Sequence, residues 1–275
     1  MWNMIKIMLG LAVITMVGVA CSPKKESPKM LVLYYSQTSN TKVVAQEIAT
    51  RLNADIEEIV PVEPYDTAFE ATIERCMKER EQGITPEIQP LKSNIADYDV
   101  IFIGYPVWFG TYAPPVAALL DKIDLGGKKV VPFCTFGSGG LESSTKDLVA
   151  KQPNAKILRG YGVRAARMDA VTKEVDQFLK ASGFIEGEFF QPTSFPELYP
   201  VSADEAAIFD AAVDGYPMLN AKSTSVAKRD IPEGVEYVFL AEDQPRDDKD
   251  GEPREIVVYV IVEKGKAPVF TKVVR

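Results

Sequence analysis

The chain of 275 residues carries 31 basic and 39 acidic side chains, a net charge of −8, and 46% apolar residues, an ordinary balance for a globular protein. Its length suits about two domains, and the lack of a long basic run argues against nucleic acid as a partner. No histidine is present, which excludes Ser-His-Asp and Cys-His catalysis and argues against a typical zinc or iron site. We therefore predict no catalytic side chain and no metal site, so a bound cofactor is the more attractive carrier of any chemistry.

The amino terminus predicts a targeting segment. Lys6 precedes a largely apolar run over residues 7–19, which is shorter than the roughly 20 residues of a transmembrane helix and fits the core of a signal peptide. Small residues then lead to Cys21, as in a bacterial lipobox, although glycine stands where that motif usually has leucine. We expect lipidation of Cys21 and an extracytoplasmic, membrane-anchored protein that faces the periplasm or the cell surface. Ordinary secretory cleavage near Ala20 is the alternative.

Strand and helix patterns alternate between residues 30 and 185. The strand candidates are near-continuous apolar runs, which suits a parallel sheet covered on both faces. We therefore predict an α/β domain built on a doubly wound, five-stranded parallel sheet. The predicted strands span residues 29–35, 54–60, 98–106, 128–137 and 155–163. The predicted helices span residues 43–52, 67–82, 113–123, 141–150 and 170–183.

The composition changes after about residue 186, where a segment with three prolines and no periodicity predicts a linker. The remainder predicts a small α+β domain, in which one helix over residues 202–215 precedes an antiparallel sheet. Its predicted strands span residues 221–228, 235–242, 255–263 and 268–274, and an acidic stretch over 243–253 is the expected hairpin loop. The predicted boundaries are 1–20 for a signal peptide, 21–29 for the lipidated cysteine and tether, 30–185 for the first domain, 186–202 for the linker and 203–275 for the second domain.

Surplus hydroxyl and amide side chains follow the first predicted strand, in the stretch YYSQTSNT that begins at residue 34. The backbone N–H groups at the start of the next helix lack helical partners, and the helix dipole adds partial positive charge there. These groups and the hydroxyls could bind an anion, or they could simply cap the helix. The glycines of a nucleoside triphosphate loop are absent, as is a lysine directly before Thr41, so that class of phosphate loop is excluded.

Two more loops follow the third and fourth predicted strands. The stretch GYPVWFGTYAPP over residues 104–115 places four aromatic residues at the end of a strand, where they either pack into the core or stack on a flat ligand. The stretch CTFGSGGLESS over residues 134–144 has three glycines, which let backbone N–H groups approach a ligand closely, although alone it predicts only a flexible turn. In a doubly wound sheet the three loops meet at the switch point of the strand order. One loop offers hydrogen-bond donors for a phosphate, one offers aromatic side chains for a flat ring, and one offers backbone N–H groups without bulky side chains. This combination fits flavin mononucleotide (FMN).

These three motifs resemble those of the flavodoxin family, over about residues 29–183. The resemblance implies a flavodoxin-like sheet and FMN as the cofactor, with Trp108 as the stacking partner of the flavin ring. Ser39 stands where the family usually has glycine, which predicts an unusual backbone angle. The implied phosphate-binding residues are Ser36, Thr38, Ser39, Asn40 and Thr41. The implied neighbours of the isoalloxazine ring are Pro106, Val107, Trp108, Phe109 and Gly110 on one side, and Thr135, Phe136, Gly137, Ser138, Gly139 and Gly140 on the other.

The carboxy-terminal part is loosely similar to cystatin-like folds, in which one helix lies across an antiparallel sheet. The stretch DIPEG at residues 230–234 lacks the glutamine and valine of the Gln-x-Val-x-Gly turn of protease-inhibiting cystatins, so protease inhibition is not expected. We expect this domain to bind a partner or to act as a spacer. Cys76 and Cys134 could pair in an oxidising compartment, but neither has a spacing that indicates a site.

These resemblances imply an exported, lipid-anchored, flavodoxin-like protein that binds FMN and transfers electrons to an unknown acceptor. It would then be an electron carrier or an FMN-dependent oxidoreductase. The alternative is a non-catalytic extracytoplasmic binding module on a flavodoxin-like scaffold, whose second domain contacts a surface protein.

Overall fold

Two sheets, one parallel and one antiparallel, organise the chain; the parallel sheet contributes to two buried core clusters and the antiparallel sheet to a third. The computed structural model describes residues 27–137, 139–216, 218–244 and 252–274. The predicted signal peptide, Cys21, Ser138 and most of the predicted hairpin loop lie outside the described residues. The predicted fold class is confirmed: a doubly wound parallel sheet with helices precedes a smaller domain with a helix and an antiparallel sheet.

The first domain alternates strands and helices. All five predicted helices are present, and their ends differ from the prediction by at most three residues. Two short 3-10 segments, Ile95–Asp97 and Ala165–Ala170, precede β3 and α5. The elements are β1 (Met30–Tyr34), α1 (Asn40–Leu52), β2 (Asp55–Glu58), α2 (Phe69–Gln82), β3 (Val100–Trp108), β4 (Thr111–Tyr112), α3 (Pro114–Lys122), β5 (Lys129–Phe136), α4 (Leu141–Lys151), β6 (Lys156–Ile157), β7 (Tyr161–Arg164) and α5 (Val171–Ala181).

The parallel strands run in the order β2-β1-β3-β5, and β6 and β7 both pair with β5 on its other side. This is the flavodoxin-like order, with its switch point between β1 and β3. The side chains of β1 alternate between the two faces of the sheet: Leu31 and Leu33 lie in one core cluster, Val32 and Tyr34 in the other. Fully burying a leucine or valine side chain contributes about 1.5–3 kcal/mol. The continuous apolar run of β1 therefore stabilises both layers of the domain at once.

The last predicted strand, over residues 155–163, is interrupted, which corrects the expectation of one continuous strand. β6 pairs with the start of β5, and β7 pairs with its end. Pro132 of β5 lies between the two pairings and has no N–H to donate to the neighbouring strand. Gly160 passes so close to it that a Cβ there would lie 2.3 Å from the Pro132 carbonyl oxygen. The sequence pattern of residues 155–163 alone does not contain this constraint.

The second domain has α6 packed on one face of an antiparallel sheet, where Phe209 of α6 meets Phe239 of the sheet with ring centroids 5.3 Å apart. Its elements are β8 (Tyr199–Pro200), α6 (Ala203–Val213), β9 (Ala221–Ile231), β10 (Gly234–Asp243), β11 (Arg254–Glu263) and β12 (Val269–Val274), with the strand order β12-β11-β10-β9-β8. β9 to β12 match the four predicted strands, and β8 pairs with β9 from within the predicted linker. The similarity to cystatins stays a prediction.

Cys76 and Cys134 are free thiols, and both are buried. Burial raises the pKa of both thiols, that of Cys76 to about 11. Both are therefore protonated and poor nucleophiles at neutral pH.

Among the helices of the described ranges, none is long and apolar enough to span a bilayer.

Candidate functional site

The three loops singled out in the sequence lie at one edge of the parallel sheet. β1, β3 and β5 are neighbours, and the register pairs Tyr34 with Gly104 and Gly104 with Phe133. Because parallel strands end at the same edge, the loops after β1, β3 and β5 come together there. We call them the first, second and third loops, residues 35–41, 106–112 and 135–140.

One hydrogen bond joins two of the loops directly, and a second joins the remaining loop to α4, which begins where the third loop ends. Thr41 of the first loop and Thr135 of the third are both buried, and their hydroxyl oxygens lie 2.8 Å apart. Ser143, which follows the third loop, donates a hydrogen bond of 2.6 Å from its hydroxyl to the carbonyl oxygen of Gly110 in the second loop. The three loops therefore form one connected site.

The first loop leaves the amino terminus of α1 open to a ligand. Ser39 is the N-cap residue and has φ 66°, so the unusual backbone angle predicted at this position is confirmed. Its side chain makes no capping hydrogen bond; instead, the Ser36 hydroxyl accepts one of 3.1 Å from the backbone N–H of Lys42. Within the described ranges, the backbone N–H groups of Asn40 and Thr41 have no acceptor, and the first turn has no acidic side chain. Two free donors and the helix dipole thus remain for an anion.

The predicted phosphate-binding side chains divide into two groups. Those of Thr38 and Ser39 are exposed and that of Asn40 is half-buried, so these three are accessible to a ligand. The hydroxyls of Ser36 and Thr41 already have partners within the protein. Capping therefore accounts for Ser36, and it does not account for Thr38, Ser39 and Asn40.

The second loop is a tight hairpin rather than an irregular loop. β3 continues to Trp108, two residues beyond the predicted end of the strand, because β4 pairs with it through Val107 and Tyr112. Phe109 and Gly110 form the turn with φ 52° and 83°, the pattern of a type I′ hairpin turn. Phe109 is a non-glycine residue at positive φ, and its side chain is 48% exposed. The turn presents this aromatic ring at the surface at a cost in backbone strain.

Trp108 is half-buried and is fixed by two tyrosines. Its ring lies edge-on to Tyr35 and Tyr65, with centroids 5.8 and 5.3 Å away. The Tyr65 hydroxyl donates a hydrogen bond of 2.6 Å to Glu79, and the Arg75 guanidinium lies 4.0 Å above the Tyr65 ring. Burial raises the pKa of both tyrosines, so their phenols stay protonated at neutral pH. The indole is thus held in place by the protein itself.

In the third loop, Gly137 is exposed and Gly139 and Gly140 are half-buried. Thr135 and Phe136 are buried at the end of β5, and Gly139 has φ 91°, a conformation that favours glycine. The carbonyl oxygen of Gly137 accepts a hydrogen bond of 2.8 Å from Nε of Arg164, at the end of β7. Sequence reasoning missed Arg164, because no motif marks it and only the fold brings it to the loop. It also gave no role to Ser143, although that residue lies within the stretch quoted for the third loop.

A groove of about 520 Å³ lies beside the second loop. It brings Trp108 and Phe109 together with Cys76 and Arg80 of α2 and with Lys151 of α4. No described residue of the first or third loop lines it. Among the described residues of the three loops, those that line the groove therefore belong to the second loop.

A doubly wound parallel sheet of this strand order, with three loops converging beside the amino terminus of α1, defines a flavodoxin-like protein. Residues 29–178 match the family model of flavodoxin, which is more than half of the chain. The chain belongs to the flavodoxin family.

Solved structures and a curated relative resemble the same part of the chain. A candidate flavoprotein from Bacteroides eggerthii is 28% identical, covers 57% of this chain and 99% of its own, and superposes with a TM-score of 0.51. A flavoprotein from Lactobacillus acidophilus, solved in complex with FMN, is 23% identical over 55% of this chain and 99% of its own, with a TM-score of 0.46. An uncharacterised protein of Methanocaldococcus jannaschii is 31% identical over 116 residues, 42% of this chain and 59% of the relative's own length.

Proposed function

We propose that this protein binds FMN where the three loops converge and carries electrons on the bound flavin. The observation that carries the proposal is the set of free donors at the start of α1, held beside the aromatic second loop and the glycine-rich third loop. Membership of the flavodoxin family supports the same cofactor. Bound FMN would supply one- and two-electron chemistry that the chain's own side chains lack.

The residues present fit such a group. The phosphate would accept hydrogen bonds from the backbone N–H groups of Asn40 and Thr41 and from the exposed hydroxyls of Thr38 and Ser39. The flavin ring would lie between the second and third loops. Trp108 would offer a fixed aromatic surface, because the tyrosine pair holds the indole before a ligand arrives. The protein's part is to bind and orient the flavin and to exclude water from it.

A flavin titration tests the proposal directly. The purified chain is examined for flavin absorption, and the flavin-free protein is then titrated with FMN while the flavin fluorescence is followed. We expect saturation at micromolar FMN or below. A chain that binds no FMN at that concentration would overturn the proposal and favour the alternative, a non-catalytic binding module.

Trp108 offers a sharper test of the ring site. We expect Trp108→Ala to weaken FMN binding about tenfold or more, because an aromatic pair contributes about 0.5–1.5 kcal/mol beyond its buried area. Trp108→Phe should restore part of the affinity. The matched control is Phe69→Ala, which removes a ring that is 73% exposed on α2 and belongs to none of the three loops. The chain from residue 29 onward keeps Trp108 as its only tryptophan, so quenching of tryptophan emission by FMN reports on this residue.

We also infer that the protein is exported and anchored through a lipid on Cys21. The support is the apolar run over residues 7–19 and the small residues that lead to Cys21. Metabolic labelling with a radioactive fatty acid, followed by fractionation of the expressing bacteria, tests this. We expect the original chain to incorporate the radioactive fatty acid and to fractionate with the membranes, and we expect Cys21→Ser to do neither. An unlabelled native chain in the soluble fraction would contradict the anchor.

A further inference from the structure

The second domain contacts the first close to the third loop. β12 lies beside β7, and Arg164, the last residue of β7, makes a hydrogen bond to Phe270 of β12. Arg164 is 7% exposed. It is therefore a charged side chain enclosed between the two domains.

The Arg164 guanidinium joins the third loop to the second domain. Its Nε donates to the carbonyl oxygen of Gly137 at 2.8 Å, and its Nη1 donates to the carbonyl oxygen of Phe270 in β12 at 2.7 Å. The group also lies 3.3 Å above the Phe270 ring, and the Tyr216 ring is 5.4 Å away. One planar side chain therefore contacts the third loop on one side and the second domain on the other.

The charge on Arg164 makes this contact sensitive to separation of the domains. Burial lowers its pKa to about 10, so the group is still a cation at neutral pH. Among the described residues, no carboxylate forms an ion pair with it, and its partners are two backbone carbonyls and two aromatic rings. A buried cation is costly unless its hydrogen bonds are made. Its position thus depends on the carbonyl and the rings that the second domain supplies.

β12 also contacts the far end of the third loop. Lys272 of β12 lies 3.4 Å from Glu142, in the first turn of α4, directly after the glycines. This ion pair is exposed and contributes little to stability by itself. Together with Arg164 it means that one strand of the second domain holds the segments on both sides of residues 138–140.

We propose that docking of the second domain sets the conformation of the third loop, and with it the affinity for FMN, with Arg164 as the positioning residue. This inference rests on the proposed flavin site. If docking favours flavin binding, flavin binding must favour docking by the same factor, because coupling between two equilibria is reciprocal. The second domain then acts as a support for the flavin site, and a ligand that pulled it away would loosen the flavin.

The test compares variants of the full-length chain. We expect Arg164→Met to raise the Kd for FMN about tenfold or more, and Arg164→Lys to fall between, because lysine keeps the charge but cannot donate in two fixed directions. The control is Arg51→Met, which removes an arginine that joins α1 to Asp176 of α5 within the first domain. Its Kd for FMN should be unchanged. An Arg164→Met chain that binds FMN as tightly as the original would overturn the proposal.

Hydrogen exchange in the flavin-free protein separates coupling from a local effect on the loop. We expect Arg164→Met to speed exchange both at residues 139–144 and at residues 268–274. Faster exchange at residues 139–144 without faster exchange at residues 268–274 would overturn the proposed coupling between the second domain and the third loop. If the original chain binds no FMN, the proposed function fails, and the same exchange experiment still decides whether the second domain holds the loop.

A charge swap provides a variant pair that leaves the buried contact intact. Lys272→Glu and Glu142→Lys should each raise the Kd for FMN by a few fold, and the double variant should restore it, because the attraction returns with reversed signs. The Glu142 side chain is 71% exposed and that of Lys272 is 37% exposed, so neither substitution places a charge in a core. Single and double variants that bind FMN equally well would show that β12 does not act on the loop through this side.

Discussion

Ser39 of the first loop has a backbone conformation that is strained for a residue with a Cβ atom. Its φ of 66° is left-handed, a conformation that costs a residue with a Cβ about 1–2 kcal/mol. Ser39→Gly removes that cost but gives the unfolded chain more freedom. We expect a net gain in the free energy of unfolding of about 0.5–1 kcal/mol, measured by urea denaturation of the flavin-free protein.

Ser36, three residues earlier in the same loop, provides the comparison for the effect of Ser39→Gly on stability. Ser36→Ala removes the hydroxyl that accepts from the Lys42 N–H, and loss of such a cap costs about 1 kcal/mol. The two substitutions in one loop should therefore change stability in opposite directions. A loss of stability in Ser39→Gly would mean that the serine side chain makes a contact that outweighs its backbone strain.

The buried pair Thr41 and Thr135 gives a second prediction at this scale. Valine at either position leaves the other hydroxyl buried without its partner, which costs about 1–3 kcal/mol. The double variant, Thr41→Val with Thr135→Val, removes both hydroxyls, so it should be more stable than the sum of the single changes indicates. Urea denaturation of the four chains measures the coupling. Strictly additive losses would contradict a direct hydrogen bond between the loops.

Individual site residues differ in how far the sequence predicts them. The angle at Ser39 followed from a departure at one motif position, because the requirement for positive φ is local. The roles of Tyr35 and Tyr65 around Trp108 depend on segments far apart in the chain. The role of Arg164 is harder still to predict from the sequence, because its two acceptors lie 27 and 106 residues away along the chain. Contacts of this kind follow from tertiary packing and leave no periodic signal.

At the scale of elements, the start of α6 is held by a charged residue. Glu205 forms a capping box with Ser202 and accepts hydrogen bonds from the Tyr199 hydroxyl at 2.7 Å and the Lys228 ammonium at 3.1 Å. The hydrogen bond from Tyr199, followed by those from Ser202 and Lys228, lowers the pKa of Glu205 to about 2. A carboxyl with a lowered folded pKa stabilises the fold above its ordinary pKa, and this contribution is lost as the pH falls toward 2.

Glu205→Gln should therefore destabilise the second domain in a pH-dependent way. We expect a loss of about 1.5–3 kcal/mol at pH 7, typical of hydrogen bonds to a charged group. The difference from the original chain should shrink as both are measured at lower pH, down to about pH 2, because the carboxyl is then protonated in both states. The control is Asp204→Asn, an exposed acid in the same turn that should cost only a few tenths of a kcal/mol. A loss in Glu205→Gln that is independent of pH would contradict the role of the charge.

Elements with a strong local signal were predictable, and those defined by a neighbour were not. The helices predicted over residues 202–215 and 170–183 match α6 and α5 to within two residues at each end. The split between β6 and β7 was not predictable, because it arises from Pro132 on the adjacent strand. The extension of β3 to Trp108 likewise depends on β4, which is only two residues long. Pairing partners decide where a strand ends, and a single segment does not reveal them.

At the scale of the whole molecule, the segment between the domains is attached at both ends. The Phe190 backbone N–H donates to Gln177 of α5 at 3.0 Å, and Arg229 of β9 donates to the carbonyl oxygen of Thr193 while stacking on Phe195. The prolines of this segment predict a linker, and they do not predict these contacts. Together with the Arg164 contact, they join the core clusters of the first domain to that of the second, which are built from separate sets of residues.

Thermal unfolding with and without FMN tests whether the two domains behave as one unit. FMN at about 100 times its Kd should stabilise the domain that binds it by about 2.7 kcal/mol. If docking and flavin binding are coupled, the second domain gains stability as well, and calorimetry should show one transition that coincides with the loss of Trp108 fluorescence. In Arg164→Met we expect two transitions, because the buried contact between Arg164 and Phe270 is gone. FMN should raise the temperature of only the transition that Trp108 fluorescence reports, which is that of the first domain. A second transition in the original chain that FMN leaves unmoved would show that the domains unfold independently.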